Sequence, residues 1–172
     1  MALTTNILAR LTATQTGGND FGSDSFSPTI ERKFTLADGT AANQADLLFV
    51  DQRTVASATN DDIDLAGVLS DAFGSTITNA ELVALMVINA PKSGSANTTD
   101  LTIGAGSNPV TGFLGGTAPT IGPIKPGGFV MLGSPDAAGL GAVTASTGDI
   151  LRIANSSGAS ATYQIAIVGR SA

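Results

Sequence analysis

The chain has 172 residues, no His, no Cys, and 14 acidic against 8 basic side chains for a net charge of -6. That inventory excludes zinc sites built on imidazole or thiolate, cysteine nucleophiles and histidine acid–base catalysis. It also repels phosphate backbones, so no nucleic acid is expected as a partner. One domain is expected at this length, with a core large enough to fold without disulfides. Charged residues make up only 13 % of the chain, about half the usual fraction, and mean hydropathy is +0.26. A surface so poor in charge points to an exterior partly covered by other subunits.

In chain order, residues 1–10 end in Arg10 and hold no long apolar run, which makes a poor secretory signal. No later stretch approaches about 18 consecutive apolar residues, so a soluble protein without a membrane-spanning helix is expected. From Thr12 to Pro28, TATQTGGNDFGSDSFSP reads as loop, and residues 1–27 are expected to form an extended N-terminal arm. Phe21 and Phe26 are its candidate interface anchors, because exposed aromatics bury large area per residue.

Residues 28–172 read as a β-sandwich domain. Ile30, Arg32, Phe34 and Leu36 share one parity, which marks a half-buried strand. A second run, Asp46 to Val55, follows a turn-rich segment and suggests a hairpin with a long loop. DDIDLAGVLSDAFGSTIT (61–78) has the makings of a short helix starting near Asp62 or Asp64 and limited by Gly67 and Gly74. ELVALMVIN (81–89) is the longest apolar run and reads as a central strand buried on both faces. Weaker strands are expected at 100–103 and 109–114, and another at 129–132 after the turn KPGG. DILRIA (149–154) and ATYQIAIV (161–168), joined by NSSGAS, read as a hairpin. The expected core includes Val83, Leu85, Val87, Phe129, Met131, Ile153, Tyr163 and Ile165. About eight or nine short antiparallel strands with little helical periodicity indicate an all-β sandwich or jelly roll.

Few groups carry chemistry. Asn60, Asp62, Asp64 and Asp71 approach a calcium-loop spacing, but Leu65 stands where that loop needs Gly and Asp71 where it needs Glu. The expectation is that Asp62 and Asp64 cap a helix start and that no metal is bound. Gly104, Gly106, Gly115, Gly116, Gly127 and Gly128 match no phosphate-binding pattern and read as turn residues. Asn97 and Asn155 open N-x-[ST] sequons, a common chance pattern. Ser134 sits in GSPDAAG, outside any nucleophile elbow. Eight aromatics (seven Phe, one Tyr) and no Trp leave little for sugar stacking. No catalytic residue and no cofactor is therefore assigned, and the chain is not expected to be an enzyme.

DLAGVLSDAFGSTIT (64–78), ELVALMVIN (81–89), KPGGFVMLGSPDAAG (125–139) and DILRIANSSGASATYQIAIVGR (149–170), in that order, resemble small Gly-, Ala- and Thr-rich virion proteins of tailed bacteriophages. The resemblance implies a β-sandwich on the phage head exterior, a decoration or cement protein that binds the major capsid protein and stabilises the shell. It further implies a homotrimer, made in the host cytoplasm, with no cofactor and no membrane or nucleic-acid partner. The alternative within the same class is a tail, head-fibre or receptor-facing module whose loops NSSGAS and PKSGSANTTD meet a host glycan. A carbohydrate-binding module or minor enzyme domain is a third reading, and it would need an aromatic cleft with close carboxylates.

Overall fold

A computed structural model describes residues 2–67, 69–104, 106–114 and 119–172. Among these the protein is all-β, with no helix. The strands are β1 (Thr5–Thr12), β2 (Gln15–Asn19), β3 (Gly22–Phe26), β4 (Thr29–Leu36), β5 (Leu47–Val55), β6 (Asn60–Asp64), β7 (Leu69–Ser70) and β8 (Thr76–Ile77). They continue with β9 (Glu81–Ile88), β10 (Leu101–Gly104), β11 (Thr120–Ile124), β12 (Phe129–Gly133), β13 (Gly141–Ala142), β14 (Ile150–Asn155) and β15 (Ala161–Arg170).

Two antiparallel sheets form the body. One runs β11-β10-β14-β6 and the other β12-β9-β15-β5, with β13 also pairing β9. The orders run in step: β11 leads to β12, β9 to β10, β14 to β15 and β5 to β6, so each strand connects to the strand of the same rank in the other sheet. Alternation supplies the core. Leu101, Ile103, Leu151, Ile153 and Ile63 from the first sheet meet Leu85, Val87, Tyr163, Ile165 and Ile167 from the second. The central-strand expectation holds for β9, whose pattern is nearly continuous burial between β12 and β15. Its register with β15 slips by one residue beside Gly169, a bulge that turns both Val83 and Ala84 into a second, smaller cluster on the outer face.

Several sequence expectations change. The described residues of 61–78 form no helix: Asp61 to Asp64 pair along β14, where Ile63 is buried and Asp62 and Asp64 are not, so the alternating pattern prevails over the capping signal. β4 and β5 do not form a hairpin, because β4 pairs β1 and β5 pairs β15. β14 and β15 are not a hairpin either, since they lie in different sheets and residues 156–160 carry the chain from one to the other. Residues 109–114 form no strand beyond a bridge from Pro109 to Ile150, and β11 was not foreseen. Phe129 is 65 % exposed, outside the core, because its register partner Ile88 faces outward. Gly127 lies in the turn before β12 with φ +76°, as a turn glycine should. Gly115 and Gly116 lie outside the described residues.

Candidate functional site

The segment expected to be an arm is the first half of a long hairpin. β1 pairs β4 from Thr5 opposite Leu36 to Thr12 opposite Thr29, and β2 pairs β3 from Gln15 opposite Phe26 to Asn19 opposite Gly22. The register passes from one ladder to the next without a slip. Ala13 donates its N–H to Pro28 O at 3.2 Å, and the Thr14 and Ser27 hydroxyls meet at 3.3 Å. Pro28 lacks an N–H, which interrupts the ladder there without changing the pairing. The 27/28 boundary therefore falls inside one ribbon of roughly 50 Å at about 3.3 Å per residue, and its return strand comes from the segment assigned to the sandwich.

Residues directly opposite each other share a face. One face carries Ile7 with Phe34, Ala9 with Arg32, Leu11 with Ile30, Ala13 with Pro28, and Gln15 with Phe26. The other carries Asn6 with Thr35, Leu8 with Lys33, Arg10 with Glu31, and Thr12 with Thr29. The hairpin is amphipathic. At its base, Ile7 and Leu36 are buried with Ala45, Val83, Ala84 and Val168, while Leu3, Phe34 and Met131 pack alongside. Beyond the base the same face is uncovered among the described residues: Leu11 is 58 %, Phe26 67 % and Ile30 72 % exposed. Phe21 stands fully exposed in the tip turn, where Asn19 Oδ1 accepts its N–H at 2.8 Å.

The body's outer faces differ in chemistry. On the first sheet, Arg152 donates to Asp62 at 2.6 Å through both Nε and Nη2, beside Thr102 and Ala154. On the second, the outward rows are Val50, Ala166, Met86 and Met131, then Gln52, Gln164, Ile88 and Phe129, of which Val50, Gln52 and Phe129 are exposed and the others half-buried. Neither row carries a charge. Sequence reasoning named Phe21 and Phe26 but missed Leu11, Ala13, Ile30 and this sheet face. Alternation through TNILARLTA was the signal for the first strand, and only pairing with β4 placed Ile30 beside Leu11.

The polar groups serve the fold. Asp61 accepts Arg53 Nε at 2.6 Å, Arg53 Nη2 at 2.8 Å and the Tyr163 hydroxyl at 2.7 Å. Burial pushes the Asp61 carboxyl upward, but the bonds from Arg53 and Tyr163 and the Arg53 charge outweigh it and hold the group below its ordinary value. The same contacts raise Arg53, through its bond to Asp61 first, and raise Tyr163, through burial first and then Asp61. Arg53 and Asp61 line an open polar cleft of about 460 Å³ between β5 and β6. Each of these charged groups already has a partner.

The calcium-like residues separate: Asp62 binds Arg152, Asp64 accepts the Ala66 N–H at 2.8 Å, and Asp71 accepts those of Phe73 and Ser75. Among the described residues no three acidic side chains converge to hold a metal. Both sequon amides are engaged. Asn155 Nδ2 donates to Val55 O, Ala56 O and Ala159 O, while Asn97 Nδ2 donates to Asn89 Oδ1 and Thr162 O. Compared with known proteins, the chain matches no family model, no curated protein and no solved structure.

Proposed function

We propose that this chain is a structural protein of a phage head, binding the outside of the capsid and stabilising it by contact rather than catalysis. The observation that carries the reading is the hairpin: a long ribbon whose apolar face is seated at the base and bare beyond it. An isolated two-stranded ribbon is marginal in water, so its outer half is built to lie on something. Two further features support it. We read the in-step strand order as a jelly-roll winding, an architecture found among viral capsid and lectin domains, and this supports the proposal by analogy. The polar clusters are consumed by the fold, which leaves apolar contact as the chain's evident means of action.

In this reading the partner is the major capsid protein, the chain works as a homotrimer on the head exterior, and it is made in the host cytoplasm. The tip Phe21 and the flank Phe26 are contact residues. Cementing follows from linkage: a ligand of the assembled shell stabilises it by RT ln(1 + [L]/Kd) at each site, and many sites sum. A receptor-facing module is the second reading. One observation favours it: the loops 91–100 and 156–160 adjoin, with Ser156 Oγ accepting the Asp100 N–H at 3.0 Å.

Quantitative mass spectrometry of purified particles separates the two. Hundreds of copies, at parity with the shell subunit or a simple fraction of it, is the expected result. A dozen or fewer would move the chain to tail or fibre hardware, and absence from particles would end the virion reading.

A further inference from the structure

The geometry points to a second copy of this chain as the occupant of the hairpin's bare apolar face, seated on the outer face of the β12-β9-β15-β5 sheet of its neighbour. This inference deepens the homotrimer of the capsid reading by naming its contact and leaves the tip Phe21 for the shell; it is tested on the free chain, so its failure leaves the particle measurement untouched. The starting point is a contact already made within one chain. Ile7, Phe34 and Leu36, on the hairpin's apolar face, pack on Ala84, Val168 and Met131 of that sheet. The sheet therefore accepts this face of this hairpin.

Both surfaces then continue past the contact, and both are uncovered. On the hairpin the next rows are Ala9 with Arg32, Leu11 with Ile30, Ala13 with Pro28, and Gln15 with Phe26. On the sheet they are Met86, Ala166 and Val50, beside the already seated Met131, followed by Gln52, Gln164, Ile88 and Phe129. Each surface ends in a row that mixes Gln with Phe, and the single charge on the hairpin's face is the Arg32 guanidinium. Two shallow clefts of about 190 Å³ each lie along the sheet and share Met86 and Ala166, ready to receive side chains. Within one chain the ribbon carries its distal rows away from the sheet, since both sets stay exposed: Ile30 is 72 % and Val50 67 % accessible.

Charge selects the same occupant. The hairpin holds three acids (Asp20, Asp24, Glu31) and three bases (Arg10, Arg32, Lys33), so the net charge of -6 resides in the rest of the chain. The facing rows of the sheet are uncharged. Two acidic bodies thus meet through a neutral ribbon and a neutral seat, with their like charges elsewhere. Every copy owns one ribbon and one seat, each left half used, so the contact is head-to-tail and a rotation that closes yields a ring.

Complementation between two variants tests this. Ile30→Glu blocks the ribbon and Val50→Glu blocks the seat; both positions are exposed in the single chain, so folding should survive, as checked by far-UV circular dichroism. Leu11→Glu and Phe129→Glu serve as second variants of each kind. Sedimentation velocity should show wild type associated, each variant alone monomeric, and an equimolar mixture of ribbon-blocked and seat-blocked chains forming heterodimers through the one intact pair. A monomeric wild type would overturn the inference. So would a variant that still associates alone, which means ribbon meets ribbon or seat meets seat, or a mixture that fails to complement.

Discussion

Tyr163 on β15 donates its phenolic hydrogen to Asp61 on β6 at 2.7 Å, and that bond ties one sheet of the sandwich to the other. The tyrosine is fully buried, and Arg53 on β5 completes the cluster with two bonds to the same carboxylate. A buried hydroxyl and a charge meet here because each removes the other's desolvation cost.

Tyr163→Phe deletes the hydroxyl and leaves Asp61 with Arg53. The expected loss is about 1 to 3 kcal/mol, the range for a hydrogen bond to a charged group, read from the urea midpoint. Asp61 and Asp62 both titrate below the ordinary 3.8 when folded. Their contribution is therefore complete above that value and lost as pH falls through it toward the folded pKa. Wild type should lose stability as pH falls below the ordinary 3.8, and Tyr163→Phe should flatten that dependence. An unchanged slope would remove Asp61 from the account.

Arg170 is entirely buried, with Nε on Gln44 O at 2.9 Å, Nη1 on Glu81 Oε2 and Ala137 O at 2.7 and 2.8 Å, and Nη2 on Asp136 O at 2.8 Å. It staples three segments to the end of β15. Arg170→Met should cost about 3 to 5 kcal/mol, because three carbonyls and a carboxylate lose their donor. Arg170→Lys should recover only part, since an ammonium cannot reproduce the planar fork. Equilibrium unfolding of both variants checks the order.

Asn155 closes the corner where the chain leaves β14 for β15, its amide nitrogen facing three carbonyls. Asn155→Asp, isosteric but without the donor, should destabilise more than Asn155→Ala, because it sets a carboxylate against those oxygens. Thermal denaturation of the pair decides it. Equal losses would mean that only the side chain's volume matters.

Leu36 anchors the hairpin base at 0 % exposure, whereas Phe21 at the tip is fully exposed. Leu36→Ala should cost about 2 to 5 kcal/mol and speed proteolysis between Ala9 and Arg32. Phe21→Ala should leave stability within about 0.5 kcal/mol while reducing occupancy on particles. Replacing residues 13–28 by a short turn should do the same, since it preserves the contacts of Ile7, Phe34 and Leu36. Full occupancy after that replacement would take shell binding away from the hairpin.

Much of the fold was legible in residue order. Alternation at Ile153, Tyr163 and Ile165 and the unbroken apolar run of β9 identify inward faces, because a strand's side chains alternate whatever it pairs with. Phe21 and Phe26 were legible as exposed aromatics for the same local reason. Which strand lies beside which was not legible: β14 and β15 read as a hairpin, yet each finds its partners elsewhere. Nor could local pattern show that the arm has a return strand, that Ile30 completes a face begun at Leu11, or that Phe129 points outward. Composition and periodicity by themselves determined an all-β chain without histidine or cysteine chemistry. The pairing partners, the amphipathic ribbon and the bare sheet face were decided by contacts between residues far apart in sequence, whose energies no local window contains.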